Sequence, residues 1–303
     1  MRVLIVGYGV QGQKREKVLN QQDVFGSFDN KNSKATFKDI NKIPHEKYDS
    51  VFLCVPDDQK IKLIKFFVNL KKNILVEKPL ILKKISDYKN LQRLSRKKGI
   101  YIYSAYNHRF EPHFEKVKEI LDKKILGKVY LCKIFYGNGT SRLVKKNKWR
   151  DKGHGVVQDI GPHLFDIINY WFKLKGRFKY LLKSKFENKS PDHSLLTMSN
   201  RNKKFILEMT YCMWRNTFNL DIIGSKGSLS VNRLCKWGPS EFFLRKRILP
   251  SGKPIEYKKT IIMKDPTWAK EHKFFFNQVK KKAKTDLSND LYIFKTLKNL
   301  NLK

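Results

Sequence analysis

An acid–base pair is the first chemistry that residue spacing predicts in this chain. Asp159 and His163 are four residues apart, which places both side chains on one face of a helix. A carboxylate that orients an imidazole makes a general base, and the ordinary histidine pKa of ~6.5 suits proton transfer near neutral pH. Asp166 follows on about the same side of the helix. The alternative is structural, because a single histidine on an amphipathic helix more often packs than reacts.

Lys78 is a second candidate for chemistry. It stands in Glu77-Lys78-Pro79, directly after an apolar run at residues 73–76. Proline has no N–H and a fixed φ, so we expect the strand to end there and hold Lys78 at its carboxyl end, where α/β sheets bind ligands. An ammonium at that place could hydrogen-bond a substrate hydroxyl and favour its deprotonation. Composition alone favours the alternative, a surface lysine in a lysine-rich chain.

A glycine-rich turn near the start of the chain predicts a dinucleotide site. The run Val3–Val6 leads into Gly7-x-Gly9-x-x-Gly12, and a helical pattern follows. Gly7 allows the tight turn, Gly9 lets a pyrophosphate approach the backbone, and Gly12 lets the helix pack on the strand. The helix N-terminus then offers unpaired N–H groups to the phosphates. The residues between these glycines complete the expected cofactor contacts: Tyr8, Val10 and Gln11.

Asp29 predicts which dinucleotide binds. It closes a second apolar run, Val24–Phe28, 17 residues beyond Gly12. A carboxylate at that place accepts hydrogen bonds from the adenosine ribose hydroxyls and repels a 2′-phosphate, so NAD is the expected cofactor. Lys31 and Lys34 are close in sequence and could also accommodate NADP.

The elements that must position these residues begin with a predicted α/β domain at residues 1–105. Short apolar runs alternate there with helical patterns, which is typical of a Rossmann fold with a doubly wound parallel sheet. The crossover between the second and third strands is short, so its helix is expected to shrink to a turn. Beyond the fifth strand, Asn107 and Arg109 could line the crevice with polar groups. The predicted strands are Val3–Val6, Val24–Phe28, Val51–Val55, Asn73–Val76 and Ile100–Ser104.

The remaining residues, 106–303, predict a C-terminal α+β domain. Longer runs with partial alternation, separated by turn residues, indicate a largely antiparallel open sheet. We expect one helix from about Gly155 to Phe172, kinked or restarted at Pro162, and a closing helix at Trp268–Lys284. The predicted strands are Lys128–Tyr136, Arg177–Phe186, Ser194–Met198, Lys203–Trp214, Phe218–Ile223, Phe242–Arg247 and Ile255–Met263.

The net charge of +38 favours a solvated basic surface over nucleic-acid binding. Most of the basic residues are lysines scattered along the whole chain, whereas readers of bases and phosphates depend on arginine forks and clustered basic faces. We therefore expect no specific nucleic-acid partner, although the charge could attract anionic substrates.

Composition predicts a folded cytoplasmic protein without a membrane partner. Apolar residues make up 41% of the 303-residue chain, yet no apolar run approaches the ~18 residues that span a bilayer, and no signal-peptide pattern opens it. The four cysteines are far apart and form no Cys-x-x-Cys pair. Reduced thiols and the absence of a metal site follow from that spacing.

Taken in order, these motifs resemble the glucose–fructose oxidoreductase / inositol dehydrogenase / rhizopine catabolism (Gfo/Idh/MocA) family. The resemblance extends from residue 1 to about 230 and includes the stretch Ile223–Leu229, which is similar to a hairpin of the family. Two positions depart from it: His154 replaces a small residue, and Lys60 replaces a common histidine. The matching residues are Gly7-x-Gly9-x-x-Gly12-x-x-Arg15, Pro56, Glu77-Lys78-Pro79, Tyr106-Asn107-x-Arg109-Phe110 and Gly153-x-Gly155-x-x-x-Asp159-x-x-x-His163-x-x-Asp166.

The resemblance implies a hydroxyl/ketone redox reaction on a sugar, cyclitol or nucleotide-sugar, with NAD or NADP as cofactor. It also implies a homo-oligomer, a dimer or tetramer, that forms through the C-terminal sheet. By residue match, Lys78 is the catalytic lysine, Asp159 orients the substrate, and His163 is the general base. Further expected contacts are Val55, Pro56, Glu77 and Lys78 for the cofactor, and Asn107, Arg109, Trp149, Arg150, Asp159 and His163 for the substrate.

Two other functions remain open at this point. One is a glycosidase that oxidises its substrate transiently, eliminates and reduces back while retaining its NAD. The other is a non-catalytic, cofactor-sensing regulator, because a fold does not settle a function. The complete set of Lys78, Asp159 and His163 favours an enzyme. We therefore predict an NAD(P)-dependent oxidoreductase acting on CH–OH groups, with the biosynthesis of surface-glycan sugars as one setting.

Overall fold

The computed structural model describes residues 1–146, 150–174 and 176–300, which form two compact units. The first unit contains Met1–Asn107 and Thr267–Phe294, and the second contains His108–Pro266 and the chain from Lys295 onward. The sequence predicts two consecutive domains, 1–105 and 106–303, whereas in the structure the first unit also includes a segment from late in the chain. The physical reason is apolar burial: Phe275, far along the chain, is 0% exposed and lies in one core cluster with strand residues of the first unit.

The secondary structure alternates strands and helices first and is rich in strands later. The strands are β1 Val3–Val6, β2 Val24–Phe28, β3 Ser50–Leu53, β4 Asn73–Glu77, β5 Ile102–Ala105, β6 Val129–Gly137, β7 Lys179–Ser184, β8 His193–Asn200, β9 Lys203–Thr210, β10 Thr217–Gly224, β11 Gly227–Asn232, β12 Ser240–Ile248 and β13 Gly252–Ile261. The α-helices are α1 Val10–Val18, α2 Asp57–Asn69, α3 Ile85–Lys98, α4 Pro112–Asp122, α5 Ser141–Lys145, α6 Val156–Asp159, α7 Gly161–Phe172, α8 Thr267–Lys280 and α9 Ser288–Asn299.

The first unit is built on a parallel sheet with the strand order β2-β1-β3-β4-β5. Strand β1 shows why its residues are apolar at every position. Leu4 and Val6 belong to one core cluster and Val3 and Ile5 to another, and all four are 0% exposed, because helices cover both faces of a parallel sheet. The predicted Rossmann fold is confirmed.

The crossover between β2 and β3 is short, as the sequence predicts. It contains two single-turn 3-10 helices, Ile40–Lys42 and His45–Lys47. An isolated parallel bridge between Phe28 and Phe37 lies on the outer edge of β2. In the dinucleotide-binding strand order 3-2-1-4-5-6 this edge holds the third strand. That strand is reduced to one bridge here.

The second unit contains an eight-stranded sheet with the order β13-β12-β11-β10-β6-β9-β8-β7. Only the pair of β6 and β9 is parallel, so the predicted, largely antiparallel sheet is confirmed. Strand β11 is absent from the predicted strands. Serines at every second position lower the apolar content of this strand, so it was not predicted. It is half-buried, and its Leu229 and Val231 are 0% exposed.

The predicted single helix from Gly155 to Phe172, around the acid–base pair, is two helices in the structure. The helix restarts at Pro162, as the proline predicts, and forms the short α6 and the longer α7. Near the end of the described chain, the closing helix is α8, and a second helix, α9, was not predicted. No helix among the described residues is long and apolar enough to cross a membrane.

Candidate active site

The glycine loop of the first unit meets the steric demands of a dinucleotide turn. Gly7 has φ of +88°, and a Cβ there would lie 2.6 Å from the Cys54 carbonyl oxygen. A Cβ on Gly12 would lie 2.2 Å from the Gly7 oxygen, so only glycine lets α1 start this close to β1. A Cβ on Gly9 would meet nothing within 4 Å. Gly9 therefore faces open space, which a pyrophosphate needs for its approach to the backbone.

The N-terminus of α1 is suited to hold an anion. The helix begins at Val10 and has no acidic residue in its first turn, and its N-cap, Gly9, has no side chain to occupy the first N–H groups. These N–H groups and the helix dipole favour negative charge. The side chains of Val10 and Gln11 are exposed, so the backbone supplies the binding groups.

Asp29 lies against the glycine loop. Its Oδ2 accepts a hydrogen bond of 2.8 Å from the Tyr8 N–H, and its Oδ1 accepts bonds of 2.9 and 3.0 Å from the N–H groups of Lys31 and Asn32. Partial burial opposes ionisation, but the three N–H groups outweigh it and lower the pKa of Asp29. Asn32 donates from its side chain to the Tyr8 carbonyl at 2.5 Å. The carboxylate is thus ionised and held at the loop.

The neighbouring predicted cofactor residues also surround this loop. The Tyr8 hydroxyl donates to Glu16, and this bond raises the pKa of Tyr8 to about 12. Val55 Cγ1 lies 2.8 Å from the place that a Cβ on Gly7 would take. Pro56 is the N-cap residue of α2. Val55 and Pro56 thus follow β3 at the same carboxyl edge of the sheet.

A buried charge cluster fixes the end of β4, just before Lys78. Arg15, 1% exposed, donates from Nε to Glu77 at 2.7 Å and from Nη1 to Glu271 at 2.6 Å. Glu271 is 0% exposed, and burial raises its pKa while Arg15 opposes the rise. The Glu77 carboxylate, a predicted cofactor contact, is thus bonded to α1. Arg15 was predicted only as a position that matches the family, because a buried arginine on a helix carries no local signal of its partners.

Lys60 supports the same segment from the other side. Its side chain is 4% exposed, and its ammonium forms an ion pair of 2.6 Å with Asp57 and donates at 2.9 Å to the Pro79 carbonyl. Lys78 itself is half-buried, and its peptide bond to Pro79 is cis. The departure from the family pattern at Lys60 therefore has a structural function in this chain.

In the second unit, His163 is paired with a second histidine. The Nδ1 atoms of His163 and His108 are 2.7 Å apart, and their rings are nearly perpendicular, with centroids 4.1 Å apart. One Nδ1 must donate and the other accept, so at least one ring is neutral while the bond exists. Any proton exchange of His163 with a third group then uses Nε2. His108 was not predicted as a partner, because 55 residues separate the two rings.

Asp159 lies on α6 and accepts hydrogen bonds from two side chains. Arg150 donates to its Oδ2, and the Tyr211 hydroxyl donates to the same atom at 3.2 Å. Tyr211 is 0% exposed, whereas the Asp159 side chain is 35% exposed. Burial raises the pKa of Tyr211, so the phenol stays protonated and donating. Arg150 was predicted as a substrate contact, and Tyr211 was not predicted.

The other predicted substrate residues are held by structural bonds. Arg109 Nε lies 3.0 Å from both carboxylate oxygens of Asp166, which is 0% exposed and anchors α7. In the first unit, the Asn107 side chain donates at 2.9 Å to the Thr267 hydroxyl, at the start of α8. Trp149 lies outside the described residues.

Comparison with known families identifies both units. The model described as the oxidoreductase family with an NAD-binding Rossmann fold matches residues 1–106. The model of the GFO/IDH/MocA C-terminal domain matches residues 114–230. The two models together cover the greater part of the chain.

Individual proteins show more distant similarity. The chain is 31% identical to the uncharacterized oxidoreductase YrbE of Bacillus subtilis over 125 residues, which are 40% of this chain and 35% of YrbE. It is 28% identical to the myo-inositol 2-dehydrogenase of Thermotoga maritima over 136 residues, 43% of this chain and 39% of that protein. The alignments thus span less than half the length of these two relatives.

The fold is shared with a solved structure over nearly its whole length. A variant of KijD10, a 3-ketoreductase from Actinomadura kijaniata, in complex with TDP-benzene and NADP, superposes with a TM-score of 0.79 at 14% identity. The match covers 99% of this chain and 96% of KijD10, and at that identity it concerns the fold alone. With both family models, the glycine loop and the confirmed Rossmann unit, the chain belongs to the Gfo/Idh/MocA family of NAD-binding oxidoreductases.

Proposed function

We propose that this oxidoreductase interconverts a hydroxyl and a ketone on a sugar, cyclitol or nucleotide-sugar. The observation that carries the proposal is the hydrogen bond between the rings of His163 and His108. The preceding helix, α6, carries Asp159, whose carboxylate accepts hydrogen bonds from Arg150 and Tyr211. A bound nicotinamide supplies the hydride acceptor or donor. The side chains of the protein then handle the proton and orient the substrate.

His163 is the proposed general base. If the neutral ring of His163 carries its proton on Nδ1, it donates a hydrogen bond to Nδ1 of His108. The other nitrogen of His163, Nε2, is then the basic one. Uptake of a hydroxyl proton at Nε2 makes an imidazolium that still donates from Nδ1 to His108. The bond between the rings therefore survives both protonation states, which keeps the base in one orientation throughout the reaction.

Lys78 and Asp159 are proposed to stabilise the reacting oxygen and to orient the substrate, respectively. The ammonium of Lys78 would stabilise the developing alkoxide, and its position is supported by Glu77 bonded to Arg15 and by Lys60 bonded to the Pro79 carbonyl. The partly exposed Asp159 would accept hydrogen bonds from the substrate while its ion pair with Arg150 holds the carboxylate in place. Orientation by such groups is the main contribution of the protein to catalysis.

The similarity to a myo-inositol 2-dehydrogenase supports a polyhydroxylated substrate. The test is a turnover screen of sugars, cyclitols and nucleotide-sugars with NAD and NADP, read by the absorbance of the reduced nicotinamide. Net reduction of added cofactor with one of these substrates is the expected result. Glycoside cleavage without net change of the cofactor would instead show the NAD-retaining glycosidase, and binding without any turnover would show the regulator.

We also propose that two copies of the chain associate through the open face of the second sheet. Leu131 and Ile223 are cross-strand partners on this face, and Ile223 is 43% exposed. Phe135 and Ile206 are half-buried on the same face, where strands β6 and β9 pair. Analytical ultracentrifugation should show a dimer or tetramer, and Ile223→Asp should shift it toward monomer. A monomeric wild-type protein at micromolar concentration would contradict this assembly.

A further inference from the structure

A cavity in the second unit is lined by six basic side chains. Its volume is about 840 Å³, which lies within the range of ~300–1,000 Å³ that is common for small-molecule sites. Two chain segments, 151–154 and 177–191, supply most of its walls, together with Asn299 and Leu300. The basic side chains among them are Lys152, Arg177, Lys179, Lys183, Lys185 and Lys189.

The charge of these six side chains is not compensated within the described part of the chain. None of them forms an ion pair there, whereas the exposed Lys116 and Lys123 at α4 both pair with Glu119. The one carboxylate in the cavity wall, Asp151, accepts bonds from the N–H groups of Lys189 and Ser190 at 3.1 and 2.7 Å. The Ser190 hydroxyl donates to the same carboxylate at 2.8 Å, and of the six cations Lys189 is the one whose charge acts on Asp151.

The cavity walls are fixed to each other before any ligand binds. The Val156 N–H donates to the Pro191 carbonyl at 2.8 Å, and a Cβ on Gly155 would lie 2.0 Å from that oxygen. The ring Nδ1 of His154 is 2.8 Å from the Tyr180 hydroxyl. Burial, with a smaller contribution from the charge of Lys183, lowers the pKa of His154. A fixed, positively charged cavity loses little entropy when it binds an anion.

We propose that this cavity binds a small molecule that carries at least two phosphate groups. The six cations are exposed and surround one space, so a polyphosphate anion placed there attracts all of them at once. Lysine binds phosphate as a point charge and arginine as a fork. A cavity of this size suits a small molecule better than an extended nucleic-acid strand. The site lies wholly within the second unit, whereas the glycine loop belongs to the first.

The experiment is a calorimetric titration of the intact protein with inorganic pyrophosphate in the presence of saturating NAD, which occupies the glycine loop. Lys183→Ala/Lys189→Ala removes two exposed cations from the cavity. The matched control, Lys253→Ala/Lys259→Ala, removes two exposed cations from β13. We expect the cavity variant to weaken binding by about tenfold or more, because hydrogen bonds to charged groups are strong, and the control to change it by less than about threefold.

Inorganic phosphate serves as the second probe and should bind more weakly than pyrophosphate. Thermal unfolding and a Lys183→Gln/Lys189→Gln variant check that the loss is one of charge and not of fold. Three results would overturn the proposal: no pyrophosphate binding at millimolar concentration, equal weakening in the cavity variant and its control, or equal affinity for phosphate and pyrophosphate. Because the readout is binding, the outcome is independent of the proposed hydroxyl/ketone reaction.

Discussion

The glycine loop and the histidine pair use different chemical groups of the chain for different tasks, cofactor binding and proton transfer. The loop uses backbone N–H groups on neighbouring residues, and its side chains matter mainly by their absence at Gly7, Gly9 and Gly12. The pair uses titratable rings from residues 108 and 163, fixed by one hydrogen bond. A steric change at the loop should therefore reduce cofactor binding, and a chemical change at the pair should reduce turnover alone.

The largest expected effect is at His163 and Lys78. His163→Gln and Lys78→Ala should each lower kcat by about 10²–10⁴-fold, the range for loss of a general acid or base, while NAD affinity stays near wild type. Their combined loss should be smaller than the product of the single losses, because groups that act as one unit are non-additive. Lys83→Ala, an exposed lysine nearby in sequence, is the control. Folded variants with nearly wild-type rates would remove both residues from the mechanism.

Gly9→Ala and Gly12→Ala separate the two steric roles in the loop. At Gly9 the added methyl meets no protein atom within 4 Å, so stability should be unchanged while NAD binding weakens by about tenfold or more. At Gly12 it would lie 2.2 Å from the Gly7 oxygen, so both stability and affinity should fall. Fluorescence titration with NADH and thermal unfolding measure the two quantities. Unchanged NADH affinity in Gly9→Ala would contradict the expected approach of the pyrophosphate to the backbone at Gly9.

His108 tests whether the ring pair matters for orientation. His108→Phe removes the partner of His163 Nδ1 and should lower kcat by on the order of tenfold, about the value of one hydrogen bond. His108→Gln keeps an acceptor and should restore part of the rate. The pH dependence of kcat should change in the Phe variant more than in the Gln variant. If both variants lose only thermal stability and keep the wild-type pH profile, the pair is structural.

Asp29 should set the cofactor preference of the loop. Its fixed, ionised carboxylate should make NADH bind about tenfold more tightly than NADPH, through ribose hydrogen bonds and repulsion of a 2′-phosphate. Asp29→Asn keeps a hydrogen-bond acceptor but removes the charge, so the ratio of the two dissociation constants should approach one. A dissociation constant for NADPH clearly below that for NADH in the wild type would reverse the assignment.

A smaller effect is expected from His272, which is buried beside Arg15. Burial and then the Arg15 charge lower its pKa well below the usual ~6.5. The unfolded chain therefore binds a proton that the folded chain refuses, so stability is present above pH ~6.5 and falls as the pH drops below it. The loss is about 1.4 kcal/mol for each unit of pH within the shifted range. Urea unfolding at several pH values gives the free energy of unfolding as a function of pH. This dependence should be weaker for His272→Gln than for the wild type, and an equal dependence would assign it to other groups.

Local patterns predicted the first unit well. The five strands, the shortened crossover and the glycine turn all depend on neighbours within a few residues. All are confirmed, with the bounds of the third to fifth strands shifted by one or two residues. The contribution of α8 to the first unit and the existence of α9 were not predicted. Their placement depends on which apolar surface a distant helix covers, and periodicity carries no information about that choice.

The same distinction holds for the candidate site. Residue types and spacing by themselves determined the dinucleotide turn and the family, because these motifs are contiguous or repeat along one element. The choice of Lys78, Asp159 and His163 as reactive groups rests on the family resemblance and stays a prediction. The partners came only from tertiary structure: His108 for His163, Tyr211 for Asp159, and Glu271 for Arg15. Each pair joins residues more than 50 positions apart, and burial, not sequence distance, makes those hydrogen bonds obligatory.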